Sequence, residues 1–304
     1  MSAAGPRRDE AAPPVVSVVV PTHGRPALLA EALAGVAAQT RRPDEVVVAD
    51  ALGDERSAAV VTACARATGL PVRYLPCPPA AGAARARNRG AAEARGEVIA
   101  FLDDDDRWAP GHLAAALDAM AAEDAPVAVT WTRFLSGDRI GDGRSVPRGL
   151  RAADVLAANP GVTGSNLVLT RAALDRVGGF DEDLTVANDQ DLFLRLLDAG
   201  FAYAVVRRRL VDKRLHDGPR IATAGPGRRE GLRRFAAKHG ARLTPRDRRR
   251  LQAELVRDAG RTAPTPIRLL AGAYLLLLLG PAELARWRRS SRHRRLAPDT
   301  GRGC

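Results

Sequence analysis

Residues 100–113 read AFLDDDDRWAPGHL: an apolar run ends in four adjacent carboxylates, at positions 103 to 106. Neighbouring carboxylates about 5 Å apart repel by roughly 3 kcal/mol per pair at an effective dielectric of about 20, but by well under ~1 kcal/mol in open, salt-screened water. The run therefore costs little on a solvated loop. It costs much in a partly buried site unless a cation sits among the charges. Hard divalent cations take oxygen ligands, so a metal site is one reading. A solvated loop or a helix N-terminus, where Asp is favoured by capping and by the helix dipole, is the other. The surrounding sequence decides between them.

Residues 15–20 (VVSVVV) form a continuous β-branched run, as expected of a strand buried on both faces. PTHGRP breaks it, and Pro26 stands where a helix would begin. Residues 27–39 then carry Leu29, Leu33 and Val36 at helical spacing. The pattern continues with a strand at 45–50 (EVVVAD), a helix at 55–68, a strand at 72–75, a helix at 83–94, a strand at 97–102 and a helix at 110–122. This alternation predicts an α/β fold with a mostly parallel central sheet and helices on both faces. In such sheets ligands bind at the carboxyl ends of the strands. Thr22, Asp50 and the 103–106 run each follow a predicted strand end and should converge on one rim. That raises the acidic run above an ordinary loop.

Further on, the pattern predicts strands at 127–134 and 164–170, with a polar turn region at 136–145 between them. Residues 189–199 (DQDLFLRLLDA) should form an amphipathic helix with Leu192, Leu196 and Leu197 facing inward. Residues 203–206 read as the last strand. Beyond Arg207 the chain reads as Arg-rich and helical, with turn breaks at 225–227 and at Gly240.

The 304 residues, 46% of them hydrophobic, suffice for one large domain or two smaller ones. The net charge of +12 is unevenly placed: residues 201–304 hold 26 Lys and Arg against 8 Asp and Glu, whereas the first 200 hold 21 against 27. A basic half on a near-neutral half suggests an anionic surface partner. Nucleic acid is disfavoured, because the basic part lacks interleaved aromatics and any named recognition module. Lysine occurs only at 213 and 238, which reads as coding bias rather than function. Cys64, Cys77 and Cys304 match neither a disulfide framework nor zinc spacing, which implies a reducing compartment. Residues 1–14 lack the apolar core of a signal peptide and read as a disordered lead-in, consistent with a cytoplasmic location.

Residues 269–280 (LLAGAYLLLLLG) would span about 18 Å as a helix, too short to cross a hydrocarbon core of about 30 Å alone. Arg268 before it, and Arg286, Trp287, Arg288 and Arg289 after it, suit a helix lying in an anionic membrane interface, peripheral at the inner face of the cell membrane. A helix packed on the rest of the protein is the other reading. Residues 290–304 read as a disordered basic tail.

Three blocks carry a family resemblance. VSVVVPTHGRPALLAEALAGVAAQTRRPDEVVVAD resembles the opening of family 2 glycosyltransferases, which have the nucleotide-sugar-binding fold called GT-A. AARARNRGAAEARGEVIAFLDDDDRWAPGHL resembles that family's central signature with its Asp-x-Asp motif. VGGFDEDLTVANDQDLFLRLLDAG resembles the third block, which ends in the helix carrying the catalytic base. The resemblance runs from about residue 15 to 217. It implies a GT-A catalytic domain over 15–217, with a nucleotide-sugar half (about 15–108) and an acceptor half (about 109–217). A helical extension (218–262) and the apolar helix (263–289) follow.

The resemblance also implies transfer of a sugar from a nucleotide-diphosphate donor to an acceptor hydroxyl on a lipid carrier, glycan or small molecule. Pro21, Thr22 and Asp50 match positions near the nucleotide base and ribose, and Arg87 and Asn88 match the family's Ala-Arg-Asn turn. Asp103, Asp104 and Asp105 match Asp-x-Asp, with Asp105 the metal ligand, Asp103 a further candidate, and Mg²⁺ or Mn²⁺ the implied cation. Asp189 matches the base, with Asp191 the nearest substitute; His216 is a candidate metal ligand and Trp108 a candidate acceptor contact. Two departures stand out. The second strand often ends in Asp-Asp-Gly-Ser but here reads Asp50-Ala51-Leu52-Gly53, and the usual Glu-Asp of the third block is Asn188-Asp189.

The chemistry has its own logic. A sugar-diphosphate donor needs its departing charge neutralised, which a metal between carboxylate and phosphate does as a Lewis acid. The acceptor hydroxyl needs a base within about 3 Å. One base and one metal, with no second paired carboxylate, imply direct displacement with inversion. Two rival readings stay open. A nucleotidyltransferase would use a similar acidic motif, although PTHGRP offers only Arg25 as a phosphate ligand; a non-catalytic sugar- or nucleotide-binding protein would not need both Asp105 and Asp189.

Overall fold

The β-branched runs form a sheet where the pattern predicts. The computed structural model describes residues 12–78, 82–137, 139–215, 225–291 and 297–298. Its first part alternates β1 (Val16–Thr22), α1 (Pro26–Ala37), β2 (Glu45–Asp50), α2 (Glu55–Thr68), β3 (Val72–Pro76), α3 (Ala83–Glu93) and β4 (Val98–Phe101). Then come β5 (Asp106–Trp108), α4 (His112–Glu123), β6 (Val127–Ser136), β7 (Arg139–Asp142), α5 (Ala152–Leu156), β8 (Leu167–Thr170), α6 (Arg171–Arg176), α7 (Asn188–Asp198) and β9 (Tyr203–Arg214). Three long helices follow: α8 (Pro226–Lys238), α9 (Pro245–Thr262) and α10 (Thr265–Ser291).

Strands β3, β2, β1 and β4 lie side by side and parallel. β8 is antiparallel to both β4 and β6, and β9 runs parallel to β6. Alternate strand residues feed two cores. Val18, Val20, Val48 and Ala100 pack with Leu29, Leu33 and Leu113 on one face; Val19, Val47, Ile99 and Phe101 pack with Leu192, Phe193 and Leu196 on the other. This two-sided burial is what the unbroken apolar runs require. α3 crosses β1 at Gly90, where an added Cβ would collide with Val19, and this close approach brings Arg87 to the rim.

The structure corrects several expectations. β9 runs on to Arg214 instead of ending at Val206, so the chain after Arg207 continues as strand. Its arginines hide the strand pattern because acids on neighbouring strands answer them: Arg209 pairs with Asp142. Irregular register with β6 near Trp131 further disturbs the alternation. The polar segment 136–145 contains β7, which forms a hairpin with β6. Residues Gly164–Asn166 form a 3₁₀ turn, and only Leu167–Thr170 is strand. β5 and α5 were not foreseen. In α7, Leu192 and Leu196 are buried as expected, but Leu197 is half-exposed, and Phe193 and Leu194 are buried instead.

The apolar stretch 269–280 lies within the longer helix α10, which is interrupted at Gly280 and Pro281. Residues Thr265–Ala282 are long and apolar enough by length and composition to cross a membrane, contrary to the 12-residue estimate. One stripe, Leu275, Leu279 and Leu284, packs on Ala253 of α9. The opposite side exposes Ile267, Leu269, Leu270 and Leu276, and Leu277 is 84% exposed. Helices α8 and α9 are not set apart: Phe235, Leu243 and Leu251 share the core that holds β4 and α7. His216, most of the lead-in and most of the 290–304 tail lie outside the described residues.

Candidate active site

β1 and β2 end in register, with Thr22 opposite Asp50, and the turn after β4 carries the acidic run onto the same rim. Each carboxylate of the run meets a partner from elsewhere in the chain. Asp104 accepts from Thr22 Oγ1 at 2.7 Å and pairs with Arg25. Asp105 pairs with Arg25 Nη1 at 3.1 Å, and Asp103 pairs with Arg87. Asp106 accepts from Ser165 and lies 2.7 Å from Lys213 Nζ, directly opposite it in the β5–β9 ladder. Four negative charges are thus tolerated because three cations from the start of α1, from α3 and from β9 surround them.

Titration follows this geometry. Burial pushes the Asp104 carboxyl up to about 6, with Arg25 opposing. Burial likewise pushes Asp106 up to about 6 against the pull of Lys213. Burial also acts to raise Asp103, but Arg87 and Lys213 outweigh it and hold that group below the usual carboxylate range. Lys213, although desolvated, is raised by Asp106 and Asp103 and stays charged. Oxygen atoms of Asp103, Asp105 and Asp106 all lie within 4.8 Å of one another. An all-oxygen donor set of this kind fits Mg²⁺ or Mn²⁺. Asp103 and Asp105 are half-buried, whereas Asp106 is buried and committed to Lys213 and Ser165.

The third segment arrives on α7. Its N-cap, Ala187, has a left-handed backbone (φ +59°) and provides no capping side chain. Asp189 is therefore not the cap; it sits in the first turn, and its Oδ1 accepts only from the adjacent Gln190 N–H at 2.7 Å. Among the described residues it makes no ion pair. Burial raises its carboxyl above the ordinary value, moderated by that N–H and by Arg87 and Lys213, with Asp103 adding to the rise. These neighbours are those of the acidic run, so the two segments share one electrostatic environment. Asp191, two residues on, is fully buried. Arg195 Nε lies 2.8 Å from its Oδ2, and Lys238 Nζ and His239 Nε2 each lie 2.8 Å from its Oδ1.

The other sequence candidates divide. Arg87 is 5% exposed with its guanidinium over the Phe180 ring at 5.1 Å, and its Nε and Nη1 have no hydrogen-bond partner among the described residues. Pro21 is buried beside Thr22. Asp50 is wholly buried, and its oxygens accept from Leu52 N, Asp54 N and Tyr74 Oη. The Asn88 amide is occupied by both backbone groups of Phe180 and by Glu182. Trp108 lies in the core at 2% exposure, donating to Ser165 O and stacked on His112.

Sequence reading missed Ser165 and Lys213 as members of this cluster; it placed Asp106 on the rim only as part of the run and named Arg25 only as a phosphate ligand under a rival reading. Lys213 did leave a signal. In a chain of 47 basic residues the two lysines stand at the two acidic segments, Lys213 on the run and Lys238 on Asp191. Lys213 Nζ lies 2.7 Å from a buried oxygen of Asp106, and Lys238 Nζ lies 2.8 Å from one of Asp191.

With this geometry in hand, the comparisons decide the family. The model of glycosyl transferase family 2 matches residues 17–215. The chain belongs to glycosyl transferase family 2. The transferase is 29% identical over 252 residues to the succinoglycan biosynthesis protein ExoU of Rhizobium meliloti, a match covering 71% of each chain. It is 34% identical over 98 residues to the uncharacterized glycosyltransferase YwdF of Bacillus subtilis, covering 32% of this chain and about a third (35%) of that protein. Among solved structures, the mannosyltransferase PcManGT of Pyrobaculum calidifontis, in complex with GDP-Man and Mn²⁺, aligns with a TM-score of 0.63 at 21% identity, over 93% of this chain and 85% of that one. S. aureus TarS residues 1–349 with UDP-GlcNAc aligns with a TM-score of 0.61 at 19% identity, over 87% and 79%. These likenesses show that the family 2 chain has the GT-A fold, as its sequence implied.

Proposed function

We propose that this protein transfers a sugar from a nucleotide-diphosphate donor to an acceptor hydroxyl, with inversion and with help from a divalent cation. The observation that carries the reading is Asp189: a half-buried carboxylate with no ion pair among the described residues, sharing the electrostatic neighbourhood of the acidic run. A partly buried carboxylate without an ion pair, its titration shifted upward beside the charges of a second segment, is a candidate for chemistry. Its raised pKa suits a group that must accept a proton from the acceptor hydroxyl. Asp191 is a poor substitute, since Arg195 and Lys238, with a hydrogen bond to His239, hold it ionised and enclosed.

Asp105, with Asp103, would hold the cation, which when bound would neutralise charge on the departing diphosphate. Arg87 and Lys213 add fixed positive charge beside that path. Pro21, Thr22, Asp50 and Asn88 are assigned to shaping the nucleotide end through the loops they brace. Trp108 is assigned to supporting the acceptor side from within the core. The sugar-nucleotide ligands of the PcManGT and TarS structures support a UDP- or GDP-sugar donor. ExoU and the O-antigen biosynthesis protein RfbC of Myxococcus xanthus among the relatives support an acceptor in cell-envelope polysaccharide or glycolipid.

The decisive test is a panel of UDP- and GDP-sugars with Mn²⁺, Mg²⁺ or chelator, read by donor hydrolysis and thermal shift. Metal-dependent turnover of one donor supports the reading. Binding without turnover would favour a sugar-nucleotide-binding protein, and release of pyrophosphate from a nucleoside triphosphate would favour a nucleotidyltransferase.

The exposed apolar side of α10 and the arginines at 286, 288 and 289 further support docking on an anionic membrane. Removal of residues 263–304 should abolish sedimentation with anionic vesicles at low salt. Full-length protein that ignores such vesicles rejects the membrane reading.

A further inference from the structure

Helix α8 lies beyond the 17–215 span of the family match, yet its inward side meets the segment that delivers Asp189. Gly231 rests against that segment so closely that an added Cβ would come within 2.5 Å of Val186 Cγ2 and 3.1 Å of Val186 N. Arg234 Nη1 donates to the Asp183 carbonyl at 3.4 Å. Lys238 Nζ reaches Asp181 Oδ2 at 2.5 Å and Asp191 Oδ1 at 2.8 Å, and His239 Nε2 meets the same Asp191 oxygen. Phe235, between these contacts, is fully buried.

The contacts bracket Asp189. Those at 181, 183, 185 and 186 precede it; the one at 191 follows. Between them stands Ala187, a non-glycine residue in the left-handed region at the start of α7, with no side chain to cap the helix. Such a conformation persists only where the surroundings impose it. A helix start lacking its own cap likewise takes its direction from what packs on it.

We propose that α8 is a buttress that sets the position of the Asp189 carboxylate, with Gly231, Lys238 and His239 as positioning residues for sugar transfer. The inference rests on the assignment of Asp189 as base. A displacement near 1 Å of a reacting group can cost about a hundredfold in rate, so the buttress should act on turnover and spare the donor site.

The test compares Lys238→Met, Lys238→Arg, Gly231→Val and the outward-facing control Arg233→Ala with Asp189→Asn. The readouts are hydrolysis of UDP-N-acetylglucosamine or GDP-mannose, whichever the panel selects, donor KM, and hydrogen exchange of the amides at 188–191. Lys238→Met should lower turnover about tenfold with donor KM within about twofold, and should speed exchange at 188–191. Lys238→Arg should recover most of both, and Arg233→Ala should change neither. Gly231→Val should lower turnover further; if it does not fold, Lys238→Met carries the test alone. Wild-type turnover and exchange in Lys238→Met, with Asp189→Asn inactive, overturn the buttress and leave the base assignment standing. An active Asp189→Asn overturns the base assignment, and exchange at 188–191 then still judges the buttress: unchanged protection in Lys238→Met rejects it.

Discussion

Two acidic segments meet at the candidate site, and the protein holds them in different ways. In the 103–106 run, each carboxylate has a cationic partner, supplied by Arg25, Arg87 or Lys213. In the first turn of α7 the partners are divided unequally. Asp191 has Arg195, Lys238 and His239, whereas among the described residues Asp189 has only its neighbour's N–H. Close ion pairs compensate the run and Asp191, whereas Asp189 feels Arg87 and Lys213 without a close ion pair among the described residues. The local sequence Asn-Asp-Gln-Asp gives no hint of this difference. It comes from α8 on one side and from the rim of the sheet on the other.

The sharpest way to break the comparison is Asp189→Asn. If the unpaired carboxylate is the base, turnover should fall by about 10²–10⁴ while donor affinity, measured by calorimetry, stays near normal. Asp191→Asn should lose far less turnover. A reversal of the two results would move the base two residues along the helix.

On the other segment, Asp105→Ala should abolish the Mn²⁺-dependent part of UDP binding. Equal affinity with and without chelator in the unaltered protein would remove the metal from the site. Asp191→Asn should act mainly on stability. Removing one partner of a buried ion pair costs about 3–5 kcal/mol, and the partial exposure of Arg195 and Lys238 lowers that to about 2 kcal/mol here. Urea unfolding gives the value, and a loss below about 0.5 kcal/mol would mean that the cations do not hold α7.

The smallest effect tests whether a buried titratable group away from both segments behaves as ordinary core. Burial depresses His112 to about 3 from 6.5, beside Thr130 and under Trp108. The unfolded chain takes up this proton near pH 6.5 and the folded one does not. Stability from neutral His112 is therefore full above pH 6.5 and declines below it, by about 1.4 kcal/mol per pH unit. His112→Phe should remove that slope between pH 6 and 4.5. Parallel pH curves for the two proteins would contradict the burial.

The first four strands, the helices between them and the helix bearing Asp189 were legible in the sequence by itself, as was the rim gathering Thr22, Asp50 and the acidic run. Each of these follows from hydrophobic periodicity or from the strand-end rule, which a window of about ten residues reveals. Tertiary structure alone decided the rest. β9 could not be read past Val206 because Arg209 and Lys213 make strand sense only beside Asp142 and Asp106. The role of Lys213 depends on a cross-strand partner 107 residues away, and that of Lys238 on Asp191, 47 positions upstream. The enclosure of Asp50 by Tyr74 and the contact of α8 with residues 181–191 are likewise long-range. A carboxylate's chemistry depends on which charges surround it once the chain is folded. Local pattern fixes where an acid lies along an element, but only packing between distant elements determines whether it is compensated or left free to react.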